Sequence, residues 1–142
     1  MPSRPLQVVP RATRLPDAEK ITINLGYVDL GQIDLLVAEG FYSNRTDFIR
    51  TAIRNQLATH GEAVKQVVAR KTLVLGLQSF GVADLVTARA AGQMLDIRVL
   101  GLAVIAPDVS PELALATIQS VTVLGALQAS AAVKAALAGR IH

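Results

Sequence analysis

A strict alternation of polar and apolar side chains over residues 19–25 predicts a β-strand. Side chains of a strand point alternately to its two faces, so one face would carry Ile21, Ile23 and Leu25. The other face would carry a cation, a hydroxyl and an amide, groups that can contact base edges in the major groove of DNA: Lys20, Thr22 and Asn24. Because a single strand is not stable in water and no second strand lies nearby in sequence, we expect it to pair with the same strand of a second copy.

Two amphipathic helices are predicted after the strand. The first has apolar side chains at helical spacing: Leu30, Ile33, Leu36 and Val37. Gly40 fits the end of this helix, because glycine adopts a positive φ without strain. Ser43 is the expected N-cap of the second helix. The apolar stripe of that helix comprises Phe48, Ile49, Ala52, Ile53 and Leu57, and His60 and Gly61 mark its expected end.

This order of strand, helix and capped helix resembles the ribbon–helix–helix family of DNA-binding proteins, which has CopG-, Arc- and MetJ-like members. The matching segments are residues 20–25, 33–36 and 40–50, about a third of the chain. The resemblance implies an α+β domain over residues 19–61 and an intertwined homodimer formed through residues 19–57. The paired strands would enter the major groove of double-stranded DNA as an antiparallel ribbon.

The resemblance also assigns roles to particular residues. Lys20, Thr22 and Asn24 would contact the bases. Asn24 stands where the family commonly has a small hydroxyl residue, and an amide there could pair with adenine. Three residues at the start of the second helix would bind a backbone phosphate: Ser43, Asn44 and Arg45. Free N–H groups and the positive end of the helix dipole favour an anion at that place.

Residues 71–142 contain an internal repeat. Val-Leu-Gly recurs at residues 74–76, 99–101 and 123–125, at intervals of 25 and 24 residues, and each copy precedes a helix-like run: 82–91, 110–118 and 131–138. Apolar residues also recur at matching distances after the last two glycines: Val109 and Leu113, then Val133 and Leu137. A strand and a helix every ~24 residues predict a small solenoid-like α/β unit with parallel strands. A single non-repeating α/β fold with similar strand ends is the alternative.

The ends of this repeat unit are apolar. Its last copy, residues 130–141, has only Lys134 and Arg140 as charged residues. Solenoid ends usually carry polar outer faces, and exposed sheet edges invite pairing with another chain. We therefore expect residues 71–142 to assemble dimers into higher oligomers.

Two further segments complete the predicted organisation. Residues 1–18 hold four of the six prolines and three arginines, and they predict a flexible basic arm that could touch phosphates or the minor groove. Residues 62–70 are predicted to form a linker between the two domains, with some helical tendency.

Composition and charge restrict the chemistry. The 142 residues include no cysteine and two histidines, and neither His60 nor His142 has a second ligand at metal-binding spacing. We predict no catalytic residue, no metal site and no cofactor, hence a protein that is not an enzyme. The net charge of +3 permits contact with a polyanion. No apolar run reaches the ~18 residues of a membrane span, so we expect a cytoplasmic, nucleoid-associated protein without a membrane partner.

Together these features predict a sequence-specific DNA-binding transcriptional regulator that acts as a repressor. Two alternatives remain open: a structural or adaptor protein that polymerises through its C-terminal repeats, and the antitoxin of a toxin–antitoxin pair. Antitoxin tails are usually polar and disordered when free. The aliphatic, repetitive C-terminal half argues against that alternative.

Overall fold

A computed structural model describes residues 18–142 of the protein. The chain divides into two compact units, Met1–Arg54 and Asn55–His142, and the boundary falls inside the second helix. The predicted basic arm lies outside the described residues, apart from Ala18 at its end.

The first unit contains helix α1, Tyr27–Ala38, and most of helix α2, Arg45–Thr59. Helix α1 ends where the sequence predicts. Gly40 has a φ of 86°, and the N–H of Phe41 donates to the carbonyl oxygen of Leu36 at 2.9 Å. This is a Schellman C-cap, which needs a residue in the left-handed conformation that glycine adopts readily.

Residues 18–26 precede α1 and belong to no helix and no strand of the described chain. The predicted strand over residues 19–25 therefore has no partner strand within residues 18–142. A β-strand requires such a partner for its backbone hydrogen bonds, so the pairing of this segment with a second copy stays a prediction.

The second unit begins with the end of α2 and helix α3, Gly61–Lys71, so the predicted linker over residues 62–70 is helical. Strands and helices then alternate: β1 (Val74–Phe80), α4 (Val82–Ala90), β2 (Leu95–Ile105), α5 (Pro111–Thr117), β3 (Ile118–Gln128), α6 (Ala131–Ala136) and a 3₁₀ turn at Ala138–Arg140. The strands form one parallel sheet in the order β1-β2-β3. Within residues 18–142, none of the helices is both long and apolar enough to cross a membrane.

The Val-Leu-Gly repeat is aligned across this sheet. Gly101 of β2 pairs with Gly76 on one side and with Gly125 on the other, and the valines and leucines of the motif align in the same way. The predicted succession of parallel strands and helices is therefore confirmed. The sheet, however, neither closes nor curls, and the structure shows an open three-stranded α/β unit where the sequence predicted a solenoid.

The core of the second unit lies between the sheet and its helices. Helix α5 contacts both α4 and α6, so the three helices lie side by side against one face of the sheet. The side chains that fill this layer are aliphatic: Leu85, Val99, Ile105, Ile118, Val121, Val133 and Leu137. The residues that recur after the last two glycines are all buried in it, Val109, Leu113, Val133 and Leu137. Burial of each such side chain stabilises the fold by about 1.5–3 kcal/mol.

The backbone conformation explains why glycine occurs at the same position in all three strands. Gly76, Gly101 and Gly125 have φ values of 124°, 139° and 121°, which L side chains rarely adopt. A Cβ atom on Gly101 would overlap the carbonyl oxygen of Gly76, and one on Gly125 would overlap that of Gly101. Glycine is thus required at Gly101 and Gly125 by the close approach of the neighbouring strand as well as by φ, and at Gly76 by φ alone.

Candidate nucleic-acid interface

The three predicted base-contacting side chains, Lys20, Thr22 and Asn24, are all exposed. None of them has a hydrogen bond or an ion pair with another described residue, so their polar groups are available to a ligand. The apolar side chains that alternate with them are exposed too: Ile21 by 72%, Ile23 by 61% and Leu25 by 40%. Within one chain, this segment lacks the apolar burial that would hold it in place.

The helices that follow also leave most of their apolar side chains in solvent. Ile33 is the single buried residue of α1, and α2 has none. The exposed set in and around these helices comprises Tyr27, Val28, Leu35, Phe41, Ile53 and Leu57. Since burial of one large apolar side chain is worth about 1.5–3 kcal/mol, a unit with so small a core gains little stability by itself. The missing burial points to a partner surface.

The N-terminus of α2 is capped by Asn44, so the prediction of Ser43 as the cap is wrong. Asn44 Oδ1 accepts the N–H of Asp47 at 2.8 Å, and Asp47 Oδ2 accepts the N–H of Ser43 at 2.9 Å. Asparagine and serine cap helices about equally well, so side-chain preference does not separate the two positions. The path of the turn after Gly40 decides which of the two residues is the N-cap. It makes Asn44 the cap, so the helix begins at Arg45, one residue later than predicted.

Two backbone amides remain open at this helix end. The N–H groups of Arg45 and Thr46 have no acceptor among the described residues, as is usual for a first helical turn. Of the predicted phosphate ligands, Ser43 uses its amide for Asp47, and Asn44 uses its side chain for the cap. Thr46 is therefore a further candidate, which a helix capped by Ser43 would not have indicated because its first turn would begin one residue earlier.

The side chain of Arg45 is held by α1. Its Nε and Nη2 each donate to one carboxylate oxygen of Asp34, both at 2.8 Å. These hydrogen bonds hold the pKa of Asp34 below its usual value and raise the pKa of Arg45. The Nη1 group has no acceptor among the described residues and is still able to donate. The role of Asp34 is not visible in the sequence, because Asp34 and Arg45 are eleven positions apart, a separation that no local spacing rule covers.

Other candidates for ligand contact are less constrained. Arg50 and Arg54 are exposed on α2 and form no ion pair with a described residue. His60 is exposed between α2 and α3, where its Nε2 lies 3.3 Å from the side-chain nitrogen of Gln56. Among residues 18–142, no three histidine, aspartate or glutamate side chains lie close enough together to hold a metal ion.

Comparison with known families covers both units of the chain. The model of the Ribbon-Helix-Helix transcriptional regulator family matches residues 16–134. The resemblance deduced from residues 20–50 was therefore too narrow, because the match includes the sheet of the second unit. Comparison with curated proteins and with solved structures yielded no match.

The family match agrees with the geometry of the first unit, where an exposed polar segment precedes two short helices. It confirms the predictions of a DNA-binding transcriptional regulator and of a protein that is not an enzyme. The chain belongs to the Ribbon-Helix-Helix transcriptional regulator family.

Proposed function

We propose that the protein is a sequence-specific repressor that binds DNA as a homodimer, with residues 19–25 of two copies paired as an antiparallel ribbon. The observation that carries this proposal is the exposure of Ile21, Ile23 and Leu25 in a segment without a strand partner in the described chain. Pairing would satisfy the backbone N–H and C=O groups of the segment and bury its apolar face against the helices.

The same pairing would direct the polar face of the ribbon outward. Lys20, Thr22 and Asn24 from each copy would form one continuous row that fits the major groove. A lysine can donate to guanine, an asparagine can pair with adenine in a bidentate manner, and a threonine can contact either base or the thymine methyl group. The row therefore has the chemistry for base contacts.

The start of α2 would fix the dimer on the DNA backbone. A phosphate placed there can accept from the open amides of Arg45 and Thr46 and from Nη1 of Arg45. The ion pair with Asp34 would limit the motion of the guanidinium and place it before the DNA arrives. Such contacts position the protein without contributing to sequence preference.

Replacement of Asn24 by alanine tests the base contact. On a duplex selected from a random pool by the wild-type protein, we expect Asn24→Ala to weaken binding by about 1–3 kcal/mol, roughly 5- to 150-fold. Binding to unrelated duplexes should stay the same, and the selected base at one position should become degenerate. Asn55→Ala on α2 is the matched control. Unchanged affinity and unchanged preference for Asn24→Ala would contradict the proposed role of the ribbon.

Replacement of Arg45 by alanine tests the phosphate contact. We expect binding to selected and unrelated duplexes to weaken by a similar factor, and the dependence of log Kd on log salt concentration to become less steep by about one unit. Arg89→Ala removes an exposed arginine from α4 and is the charge-matched control. A loss confined to the selected duplex would instead assign Arg45 to base recognition.

The proposal includes assembly of dimers into larger oligomers through the second unit, with repression by occupancy of adjacent sites in the cytoplasm. When two dimers are linked, binding of one raises the effective concentration of the other at a neighbouring site, without any new base contact. No observation on residues 18–142 favours the adaptor hypothesis or the antitoxin hypothesis.

A further inference from the structure

The sheet of the second unit has one face covered by helices and one face rich in leucine. Strand side chains alternate between the faces, and the buried residues Val99, Ala103 and Ile105 of β2 belong to the helix side. The intervening positions belong to the opposite side. The leucines at these positions form what we call the leucine face: Leu75, Leu77, Leu100, Leu102 and Leu124. Ala126 and the buried Val104 lie on the same side of the sheet.

The leucine face is exposed at its edges. Leu75, Leu77 and Leu124 are exposed by 67%, 64% and 53%, while Leu100 and Leu102 on the central strand are half-buried. None of the five belongs to the hydrophobic core of the unit. A contiguous apolar array of this kind on the outside of a protein usually marks an interaction surface.

A polar rim borders the leucine face. On the same side of β2, Asp96 accepts from the hydroxyl of Ser120 and forms an ion pair with Arg98 at 3.1 Å. The Ser120 and Arg98 hydrogen bonds hold the pKa of Asp96 below its usual value. An apolar centre with a polar, charge-balanced rim is the usual anatomy of a protein interface.

We propose that the leucine face packs against the leucine face of a second copy, and that two such contacts join two DNA-binding dimers into a tetramer. A second copy fits because the rim carries both an acid and a base, so the face meets its own copy without net repulsion. The leucines lie in register across the strands, and such a sheet face can pack on another sheet face, since sheets pack face to face about 10 Å apart.

The size of the face explains why two contacts are needed. Seven paired positions at about 3.3 Å per residue and three strands about 4.8 Å apart give a footprint of roughly 300 Å². A stable interface buries about 800 Å² of surface on each partner. One leucine face is therefore a weak contact, whereas two faces on each dimer act together through their raised effective concentration.

An apolar groove of about 380 Å³ extends the surface beyond β1. It lies between α3 and the edge of the sheet and is lined by Val64 and Val68 together with Leu73, Val74 and Leu75. This groove enlarges the area that a second copy could bury, and it is continuous with the leucine face through Leu75.

The inference rests on the proposed dimer, and the test uses the full chain. By light scattering we expect the wild-type protein to form four chains of 15.0 kDa, about 60 kDa. Leu75→Lys/Leu124→Lys should reduce this to two chains, about 30 kDa, while its circular dichroism and its Kd for a duplex with one site stay the same. On a duplex with two adjacent sites, the variant should lose the cooperativity of the wild-type protein.

A matched control distinguishes the loss of a contact at the leucine face from a general effect of adding two lysines to the unit. Val86→Lys/Leu115→Lys makes the same apolar-to-lysine changes on the helix side of the same unit, at positions that are 41% and 37% exposed. We expect this variant to remain a tetramer. Equal disruption by both double variants would show that the leucine face is not the contact.

The outcomes distinguish this inference from the proposed function. A wild-type protein that binds DNA but never exceeds two chains would overturn the inference, and another occupant of the leucine face, such as residues 1–17, would then be sought. A tetramer that depends on Leu75 and Leu124 but shows no preference among duplexes would overturn the proposed function and leave the leucine face as an interface.

Discussion

At the scale of single residues, the ion pair of Arg45 and Asp34 links the two helices of the first unit to the proposed phosphate contact. Removal of the carboxylate would free the guanidinium and delete a negative charge near that proposed contact. We expect Asp34→Asn to tighten binding to unrelated duplexes and to steepen the salt dependence, measured by fluorescence anisotropy at several salt concentrations. Weaker binding of Asp34→Asn would show instead that Asp34 is needed to position Arg45.

The ion pair of Arg45 and Asp34 should also affect how the stability of the first unit depends on pH. Because the pKa of Asp34 is lowered in the folded protein, its ionised form stabilises the fold above the ordinary pKa of 3.8, and this contribution is lost as the pH falls through the lowered value. We expect Asp34→Asn to reduce the dependence of the melting temperature on pH below 3.8. The second unit keeps its own lowered carboxyl pKa at Asp96, so part of the dependence should remain. An unchanged pH profile for Asp34→Asn would contradict this role.

The stacked glycines allow a graded test. Gly101→Ala would place a Cβ against the carbonyl oxygen of Gly76 and also strain a positive φ, whereas Gly76→Ala would strain φ alone, since nothing lies within 4 Å of its Cβ position. Strain at such a φ costs on the order of 1–3 kcal/mol. We expect urea denaturation to show a loss of this size for Gly76→Ala and a larger loss for Gly101→Ala. Gly61→Ala, at an uncrowded helix start, should be nearly neutral.

At the scale of elements, two serines begin the helices that cover the sheet. The Oγ of Ser110 accepts the N–H of Leu113, and the Oγ of Ser130 accepts the N–H of Val133, both at 3.1 Å. Loss of an N-cap costs about 0.5–2 kcal/mol. We expect Ser110→Ala and Ser130→Ala each to lower the free energy of unfolding by this amount in a denaturant titration. Ser79→Ala, at an exposed strand position, is the control and should change it little.

The two units differ in how much apolar surface their elements bury within one chain. The strands of the second unit pair within one chain and are covered by their own helices, so that unit buries its own core. The first unit has two helices and a single buried residue in α1. Its segment before α1 has no partner within the described chain, and in the proposed dimer a second copy would supply the missing burial.

At the scale of the whole molecule, the proposed dimer predicts that stability varies with protein concentration. Folding that is coupled to dimerisation follows mass action, so the melting temperature should rise as the concentration is raised. We expect differential scanning calorimetry to show this rise in the transition of the first unit. A single transition that stays at the same temperature over a hundredfold dilution would contradict the proposed dimer. Leu75→Lys/Leu124→Lys should keep the concentration dependence, because that variant leaves residues 19–25 unchanged.

Prediction from sequence succeeded where local rules govern the structure. The end of α1 was predicted correctly because it needs a positive φ, which Gly40 adopts readily. The identity of this single residue is enough to indicate the helix end. The Val-Leu-Gly repeat correctly predicted three parallel strands. Each strand and the helix after it are short segments whose apolar spacing can be read directly from the sequence. The predicted N-cap of α2 was wrong by one residue. Ser43 and Asn44 are equally suited to capping, and the path of the preceding turn determines which of them is the cap.

The sequence by itself determined helices α1 and α2, the repeated strand and helix, and the resemblance of residues 20–50 to a DNA-binding family. These properties follow from backbone preferences and from the spacing of apolar side chains within one element. Only the tertiary structure decided that the sheet stays open, that Arg45 is held by Asp34, and that five leucines gather on the face of the sheet opposite its helices. Each of these depends on which distant residues meet across elements, and no pattern along a single element contains that information.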